Sequence, residues 1–431
     1  MTRAIRGRFW RLARLLVPFL SLEVPTQLAA LVVGFVIVRV LPVRDFAVYA
    51  LITALQGTLA ILSDAGVSTV LVARAGAVHS DKKALAELVA SAKRARRVLE
   101  GLALVLSGPL LFLWLRGRSV SVTDYAILLV IVAVGLHLQV TYSVYAALPV
   151  ILLEPHYLQV AQLTGSLVRF AGIVIVLLVA PLYLPALSAN VLGIAVQAWL
   201  LKRYARRNIN LRSPASEQQL TELRRFIRRQ FVNTFYYAFS SQLTMWLIGF
   251  KGSTRAVAEI GALGRLGNVI AVAQSSLSML ALPRLAREVS PIRFLRRYVA
   301  IVLLVAGCGL VLVSLAVARP GVVLWFLGPK YENLGSVLPL SIGCYATLWL
   351  SSTVFSLNSS KAWVDRVWIA IPLVIVSQIA ALFLFDVGTV RGAIWFGWVS
   401  LFPPLIVNTI IAISRLSGWL RSNAAANLVA P

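Results

Sequence analysis

Arg169 is the residue of this sequence best suited to chemistry, because it interrupts an otherwise apolar run over residues 163–180. A guanidinium at membrane depth costs between about 3 and about 10 kcal/mol, so a fold rarely leaves it facing lipid. Gln159, Gln162 and Ser166 precede it at spacings of three and four residues, which on a helix place all these side chains on one face. This face predicts a watery cavity that holds a negatively charged group.

The composition of the chain supports membrane depth for this run. The sequence has 431 residues, of which 59% are apolar and 13% are charged, and its mean hydropathy is +0.86. A soluble domain carries about 25% charged residues. We therefore predict an all-α integral membrane protein, since lipid forces every backbone polar group of a spanning segment to be satisfied internally.

Twelve apolar runs predict about 12 transmembrane helices. They cover residues 17–40, 46–73, 98–115, 122–148, 157–180, 182–201, 230–250, 256–282, 296–318, 333–357, 364–386 and 391–413. We predict an N-terminal six-helix bundle over 1–205, a cytoplasmic basic linker over 206–229 and a C-terminal six-helix bundle over 230–431, around a central cavity. Two such halves with a binding site between them are a common transporter plan.

The distribution of Lys and Arg predicts the orientation. With the N-terminus in the cytoplasm, 30 of the 41 Lys and Arg residues fall in cytoplasmic segments and nine in outer segments. Cytoplasmic loops of membrane proteins carry such an excess, so we expect both termini in the cytoplasm. The linker ends in the basic segment 224–229, which is either an amphipathic helix on the inner membrane surface or a solvated connection.

Several classes of function are excluded. The net charge of +26 does not indicate nucleic-acid binding, because the basic residues lie between apolar runs rather than in one patch. Cys308 and Cys344 are far apart and lack metal-ligand spacing. The sequence contains no Walker motif, HExxH or GxSxG, and its 15 acidic residues leave few groups for acid–base work. We expect no enzyme activity, no cofactor and no metal.

Other polar residues within the apolar runs are candidate cavity or ion-coupling groups. Arg265 lies in the eighth run, with Asn268 three residues later. Glu23 lies in the first run, Asp64 in the second and Asn233 in the seventh, and Gln162 of the fifth run joins the same set. The polar faces of the first, second, seventh and eighth runs are expected to line one vestibule.

Four polar side chains in or beside the apolar runs also have a structural interpretation: Glu23, Asp64, Arg39 and His137. Glu23 can sit hydrated at the inner interface, and Asp64 can cap a helix or pair locally. Arg39 flanks the end of a run and can snorkel to lipid head groups. His137, with Thr141 one turn later in the fourth run, is interpreted as structural.

The two arginines within runs suit an anionic cargo. Arginine grips a phosphate with two hydrogen bonds and keeps its charge when dehydrated. A lipid-linked diphosphate has a polar head that can cross in a cavity while its tail stays in lipid. The competing interpretation places Arg265 in a structural ion pair with Glu259 or Asp64.

Four segments resemble, in order, motifs of polysaccharide exporters. VLPVRDFAVYA at 40–50 resembles the first loop of these proteins, and DAGVS at 64–68 resembles the end of their second span. AEIGALGRL at 258–266 resembles the entry to span eight, and VLWFLGPKY at 323–331 the segment after span nine. The sequence is thus similar to the Wzx-like O-antigen and exopolysaccharide flippases of the multidrug/oligosaccharidyl-lipid/polysaccharide exporter (MOP) superfamily.

This resemblance implies two six-helix bundles, a central cationic cavity and export of an undecaprenyl-diphosphate-linked oligosaccharide across the bacterial inner membrane. It implies alternating access coupled to H+ or Na+, with polysaccharide polymerase and assembly proteins as partners. By position, Arg39, Asp64 and Arg265 match motif residues, and Arg169 lies in a span where relatives often carry a basic residue. The chain lacks the usual glycine of the first loop and has Ile260 in place of a tyrosine.

Three alternatives stand beside the flippase. A multidrug extruder of the related branch favours an acidic cavity for cationic drugs, whereas the charges within these runs are mainly basic. A membrane scaffold of a polysaccharide assembly machine needs no transport activity and tolerates loss of the two arginines. A glycosyltransferase needs an acidic motif beside a basic loop, which this sequence lacks.

Overall fold

The two ends of the chain lie outside the part that the structure describes. The computed structural model describes residues 25–78, 81–116, 120–363 and 366–429. Every regular element in these ranges is helical, which confirms the all-α class. Contacts between residues group the chain into two compact units, Met1–Phe250 and Lys251–Pro431, called here the first and the second unit.

The helices of the first unit follow one another through short connections. They are α1 (described over Pro25–Val40), α2 (Val43–Asp64), α3 (Val67–Val78), α4 (Lys82–Leu115), α5 (Val122–Ile151), α6 (Pro155–Val179), α7 (Tyr183–Asn208), α8 (Glu217–Ser240) and α9 (Leu243–Lys251). Side-chain caps begin two of the long helices: Asp81 accepts from the backbone of α4, and Ser121 from that of α5.

The second unit has the same helical character. Its elements are α10 (Thr254–Ala286), α11 (Pro291–Ala318), α12 (Pro320–Leu327), a 3-10 helix (Pro329–Ser336), α13 (Leu338–Ser359), a 3-10 turn (Val367–Ile369), α14 (Ala370–Leu384), α15 (Val390–Val399) and α16 (Phe402–Val429). Ser253 caps α10, and Thr389 caps α15.

Ten helical segments of the described residues are long and apolar enough to cross a membrane, so the chain is a multi-pass membrane protein. They account for ten of the twelve predicted runs. The first run is represented by α1, described from Pro25 on, and the seventh by the two helices α8 and α9. A turn at Ser241 and Gln242 separates these two helices.

Two other predicted runs are also broken into two helices, for backbone reasons. Ala65 adopts a left-handed conformation with φ 41° and Gly66 follows with φ 78°, so α2 ends and α3 begins within the run 46–73. Pro403 and Pro404 in the first turn of α16 have no backbone N–H to continue the hydrogen bonds of α15.

The polar segment in the middle of the chain folds onto the first unit. Residues from Glu217 on form α8, whose Leu220 and Leu223 are buried, and α8 packs against α2, α3 and α4. The basic end of this segment at 224–229 is helical, and its position on the inner membrane surface stays a prediction. The division into 1–205, 206–229 and 230–431 remains a prediction.

The second unit has a core that joins α11, α13 and α16. Phe294 and Tyr298 of α11 are buried beside Leu357 of α13. Tyr298 donates to Asn358 Oδ1 at 3.2 Å, and Asn358 Nδ2 donates to the Asn408 carbonyl at 2.8 Å. The buried side chains of Tyr298 and Asn358 are thus hydrogen-bonded across three helices, as apolar surroundings favour.

Candidate functional site

Arg169 lies at the tightest helix contact of the first unit, between α6 and α7. A Cβ atom added to Gly193 would lie 2.8 Å from the Cβ of Arg169 and 2.9 Å from the Gly165 carbonyl oxygen. A Cβ added to Gly165 would in turn lie 2.7 Å from the Gly193 carbonyl oxygen. Two glycines therefore let the backbones meet, as small residues do between membrane helices.

The predicted polar face of α6 is partly used in this packing. Gln159 and Ser166 are buried, whereas Gln162 and Arg169 are half-buried. Gln162 Nε2 donates to the Tyr142 hydroxyl on α5 at 2.8 Å. The backbone carbonyl of Gln162 accepts from Gln197 Nε2 on α7 at 3.4 Å. The face that the spacing predicted thus contacts two neighbouring helices, and the cavity role of Arg169 stays a prediction.

Arg265 lies half-buried on α10, where that helix packs against α13. A Cβ added to Gly267 would lie 2.7 Å from the Tyr345 ring, so the tyrosine stands directly beside the α10 backbone. The positive charge of Arg265 is close enough to interact electrostatically with the Tyr345 phenol. Asn268 is exposed on the same helix.

The acidic groups suggested as partners of Arg265 are engaged by other residues. Glu259 is buried and accepts from Arg255 Nε at 2.9 Å and from Asn333 Nδ2 at 2.8 Å. This network ties the start of α10 to the 3-10 helix that precedes α13. Asp64 forms an ion pair with Arg96.

Asp64, the last residue of α2, hydrogen-bonds to the first turn of α3 across the kink between the two helices. Its Oδ1 accepts from the Ser68 backbone N–H at 3.2 Å and from the Ser68 hydroxyl at 2.7 Å. The Arg96 guanidinium, only 1% exposed, pairs with Asp64 and donates to Ser68 and to Ser143 of α5. Because four helices meet on this one arginine, the structure favours the local, structural interpretation of Asp64.

Glu100 and His137 form a hydrogen-bonded side-chain pair that sequence analysis missed. Glu100 Oε1 lies 3.0 Å from His137 Nδ1, with the carboxylate side chain 10% exposed and the imidazole 59% exposed. Sequence analysis had treated His137 as structural and had not singled out Glu100. The sequence does contain a signal for Glu100. Arg96 and Glu100 are four residues apart, which places two opposite charges on one helix face at the start of an apolar run.

The remaining predicted residues are placed as follows. Arg39 is exposed near the end of α1. Glu23 lies outside the described residues, and so does the side chain of Asn233, although the backbone of α8 is described there. Within the described ranges, no group of three His, Cys, Asp or Glu residues is placed to hold a metal ion.

Two basic hollows lie where α4, α7 and the segment before α8 meet. The larger, of about 650 Å³, is lined by Lys82, Lys83, Arg206, Arg207 and Arg212. The neighbouring one, of about 430 Å³, is lined by Lys93, Arg94, Arg97 and Tyr145. Cations of this density attract phosphate groups, although exposed charges are screened by salt.

The fold is shared with solved transporters. An inward-facing multidrug resistance MATE family transporter of the MOP superfamily is 15% identical, with a TM-score of 0.70 over 94% of this chain and 99% of that one. The lipid II flippase MurJ, in an inward closed conformation, is 10% identical, with a TM-score of 0.69 over 94% and 93%. A MOP superfamily transporter from Pyrococcus furiosus, described by the reverse polarity of its binding pocket, is 14% identical, with a TM-score of 0.61 over 94% of each chain. At such identities these likenesses show the fold.

The sequence itself matches a family model. A search of curated proteins found no match. The model of the family described as "polysaccharide biosynthesis protein" matches residues 19–289, which is more than half of the chain and includes Arg169 and Arg265. This match agrees with the resemblance to polysaccharide exporters, and the chain belongs to the polysaccharide biosynthesis protein family.

Proposed function

We propose that this chain flips an undecaprenyl-diphosphate-linked oligosaccharide across the bacterial inner membrane for O-antigen or exopolysaccharide synthesis. The observation that carries the proposal is the family match over 19–289, which contains both arginines of the apolar runs. The MurJ-like fold supports it, because that protein is described as a flippase of a lipid-linked substrate. No catalytic step and no cofactor is part of the proposal.

The diphosphate is the group that the protein recognises. Arg169 and Arg265 lie in helices of the membrane-crossing class, where an arginine is costly unless it meets water or an anion. Each guanidinium can bind two phosphate oxygens at once and stays charged when water is removed. Arg39, exposed at the end of α1, is the third candidate contact. The polyprenyl tail stays in lipid, since transferring it into water would expose a large apolar surface.

The two basic hollows of the first unit are the initial binding site for the anionic head group of the substrate. By the charge distribution they lie on the cytoplasmic side, where a lipid-linked oligosaccharide is made. Lys82, Lys83 and Arg206 line the larger hollow. Their field raises the local concentration of anionic head groups before the diphosphate reaches Arg169.

Translocation follows alternating access with both termini in the cytoplasm. The protein opens in turn to each side of the membrane, and an H+ or Na+ gradient supplies the free energy. Polysaccharide polymerase and assembly proteins then receive the flipped substrate on the outer face. Asn268, three residues after Arg265, and Gln162, two turns before Arg169, are candidate polar groups of the cavity.

The test follows the lipid-linked oligosaccharide in cells depleted of this protein and lacking a redundant exporter. We expect the substrate to accumulate on the cytoplasmic face, and wild type to restore its access to a membrane-impermeant enzyme added from outside. The Arg169→Ala, Arg265→Ala double variant should insert normally yet restore less than a tenth of wild-type access. Arg391→Ala, which removes an exposed arginine of α15, is the matched control and should restore it fully.

Two results would direct attention elsewhere. Unchanged substrate distribution on depletion, together with a lower tolerance to cationic dyes, would identify a multidrug extruder, to which the fold is also suited. Full restoration by the double arginine variant would leave a scaffold of the assembly machine.

A further inference from the structure

Four side chains of the first unit form a row of alternating charge, called here the charge row: Asp64, Arg96, Glu100 and His137. Asp64 and Arg96 form an ion pair. Arg96 and Glu100 stand one turn apart on the same face of α4. His137 on α5 ends the row, and its Nδ1 lies 3.0 Å from Glu100 Oε1.

The Glu100–His137 pair lies at membrane depth. Glu100 precedes the end of α4 at Leu115 by 15 residues, and His137 follows the start of α5 at Val122 by 15 residues. At about 1.5 Å per residue both groups are about 22 Å from the end where α4 connects to α5. The hydrocarbon core is about 30 Å thick, so the pair lies within or at the inner edge of the membrane on helices of membrane-crossing length.

The charges of this row balance only with a bound proton. Asp64 and Glu100 carry two negative charges, Arg96 carries one positive charge, and neutral His137 leaves a net charge of minus one. Arg96 is 1% exposed and the Glu100 side chain 10%, so an uncompensated charge here is costly. One proton on the imidazole makes the row neutral and turns the 3.0 Å contact into a charge-assisted hydrogen bond.

The charged groups on neighbouring helices do not remove this imbalance. Arg74 of α3 pairs with Glu222 of α8, so these two compensate each other. Arg97 of α4 is exposed. Tyr145 of α5, which the charge of Arg97 also reaches, is a phenol and is neutral at physiological pH.

We propose that Glu100 and His137 form a proton-binding site, and that this proton is the coupling ion of the transport proposed above. The coupling role depends on the proposed function, whereas proton binding does not. The bound proton sits on His137 Nδ1 and is shared with Glu100 Oε1. The His137 side chain is 59% exposed, and proton exchange runs through this exposed part of the imidazole.

A sodium ion does not suit this site. Na+ and other hard cations take several oxygen ligands, whereas the pair supplies one carboxylate, and the adjacent Arg96 guanidinium repels a cation. Asp64, the other carboxylate of the row, is already held by Arg96 and Ser68. The chemistry of the row therefore selects a proton.

The first experiment measures proton binding directly on the full-length protein in lipid. The chain has three histidines, so imidazole-labelled protein gives few NMR signals, and the His137→Gln and His156→Gln variants assign them. Glu100→Gln should weaken proton binding at His137 about tenfold, because the opposite charge is lost. The His156 signal, from an exposed residue of α6, should not move. A change in proton binding at His137 of less than about twofold would overturn the proposal.

The second experiment tests coupling in vesicles that contain an undecaprenyl-diphosphate oligosaccharide. We expect an imposed pH gradient to accelerate wild-type flipping at least fivefold. Glu100→Gln and His137→Gln should lose this acceleration while both keep exchange of substrate without a gradient, and His156→Gln should behave as wild type. Flipping by wild type that ignores the pH gradient would overturn the coupling role. If Glu100→Gln weakens proton binding at His137 but the wild-type protein does not flip the substrate, the proton site is retained and the proposed function is refuted.

Discussion

Gly193 on α7 lies against Arg169 on α6 so closely that a Cβ atom at Gly193 would come within 2.8 Å of the arginine's own Cβ. The base of the Arg169 side chain is therefore held by backbone packing, whatever its guanidinium contacts. The Cβ of Arg169 therefore cannot shift without moving α6 against α7. The α6–α7 contact thus couples helix packing to the position of the charge.

The first prediction concerns this contact. Gly193→Ala should force α6 and α7 apart and destabilise the protein by about 1–3 kcal/mol, as overpacking of tight contacts does. The Gly193→Ala variant should also restore less export than wild type in depleted cells, because Arg169 is displaced. Thermal unfolding in detergent measures the first effect. Gly307→Ala is the matched control, since its Cβ would meet nothing within 4 Å, and it should be neutral or slightly stabilising.

The Asp64–Arg96 pair should show strong coupling in a double-mutant cycle. Arg96→Met leaves Asp64 without its cation and Asp64→Asn leaves the buried guanidinium uncompensated, so each single change should cost about 3 kcal/mol. The double variant should cost clearly less than the sum of the two, because both charges leave together. Unfolding of the four purified proteins gives the cycle. Additive losses would show that the pair contributes no coupling.

The hydroxyl of Tyr331, at the junction before α13, should make stability fall in alkaline solution. Burial raises the pKa of Tyr331, the negative charge of Glu259 raises it further, and Arg255 partly opposes this. In the unfolded chain this phenol ionises near pH 10. Above that pH the folded state therefore holds a proton that the unfolded state has lost, and the free energy of unfolding declines as pH rises.

The measurement is the thermal midpoint between pH 8 and pH 11 for wild type and for Tyr331→Phe. Wild type should lose stability above pH 10, and the variant should lose less over the same interval. Tyr125→Phe gives a control tyrosine, whose hydroxyl donates to the Gly108 carbonyl at 2.9 Å. Identical slopes for wild type and Tyr331→Phe would contradict the assignment.

Lys361 should stabilise the second unit. Its Nζ donates to the carbonyls of Ala286 at 3.1 Å and Glu288 at 2.6 Å, and it lies 5.3 Å and 5.2 Å from the ring centroids of Phe294 and Trp419. Lys361→Met keeps the length of the side chain and removes these interactions, so we expect a loss of about 1–2 kcal/mol. The unfolding midpoint measures it.

Arg366→Met is the control for that substitution, since Arg366 is an exposed cation near the same turn. It should change the midpoint by less than about 0.5 kcal/mol. An equal loss in both variants would mean that net charge, rather than the contacts of Lys361, sets the effect.

The sequence by itself determined the class, the helices and the family. An apolar run long enough to span lipid has only helical solutions, so composition and run length were sufficient for the all-α membrane fold. The linear motifs at 40–50 and 258–266 identified the family because their information lies in adjacent residues. The spacing of Gln159, Gln162 and Arg169 puts them on one face of α6, since helical periodicity is local, and the cavity role of that face stays a prediction.

Tertiary structure decided which of these polar side chains meet. Asp64 was interpreted from the sequence as either a cavity group or a local partner, and only the approach of α4 brings Arg96 to it. Glu100 and His137 are 37 residues apart in the chain, and nothing in either run marks the other as its partner. An ion pair depends on how helices rotate and pack, and the packing depends on small residues such as Gly165 and Gly193 whose role is invisible until both backbones are placed.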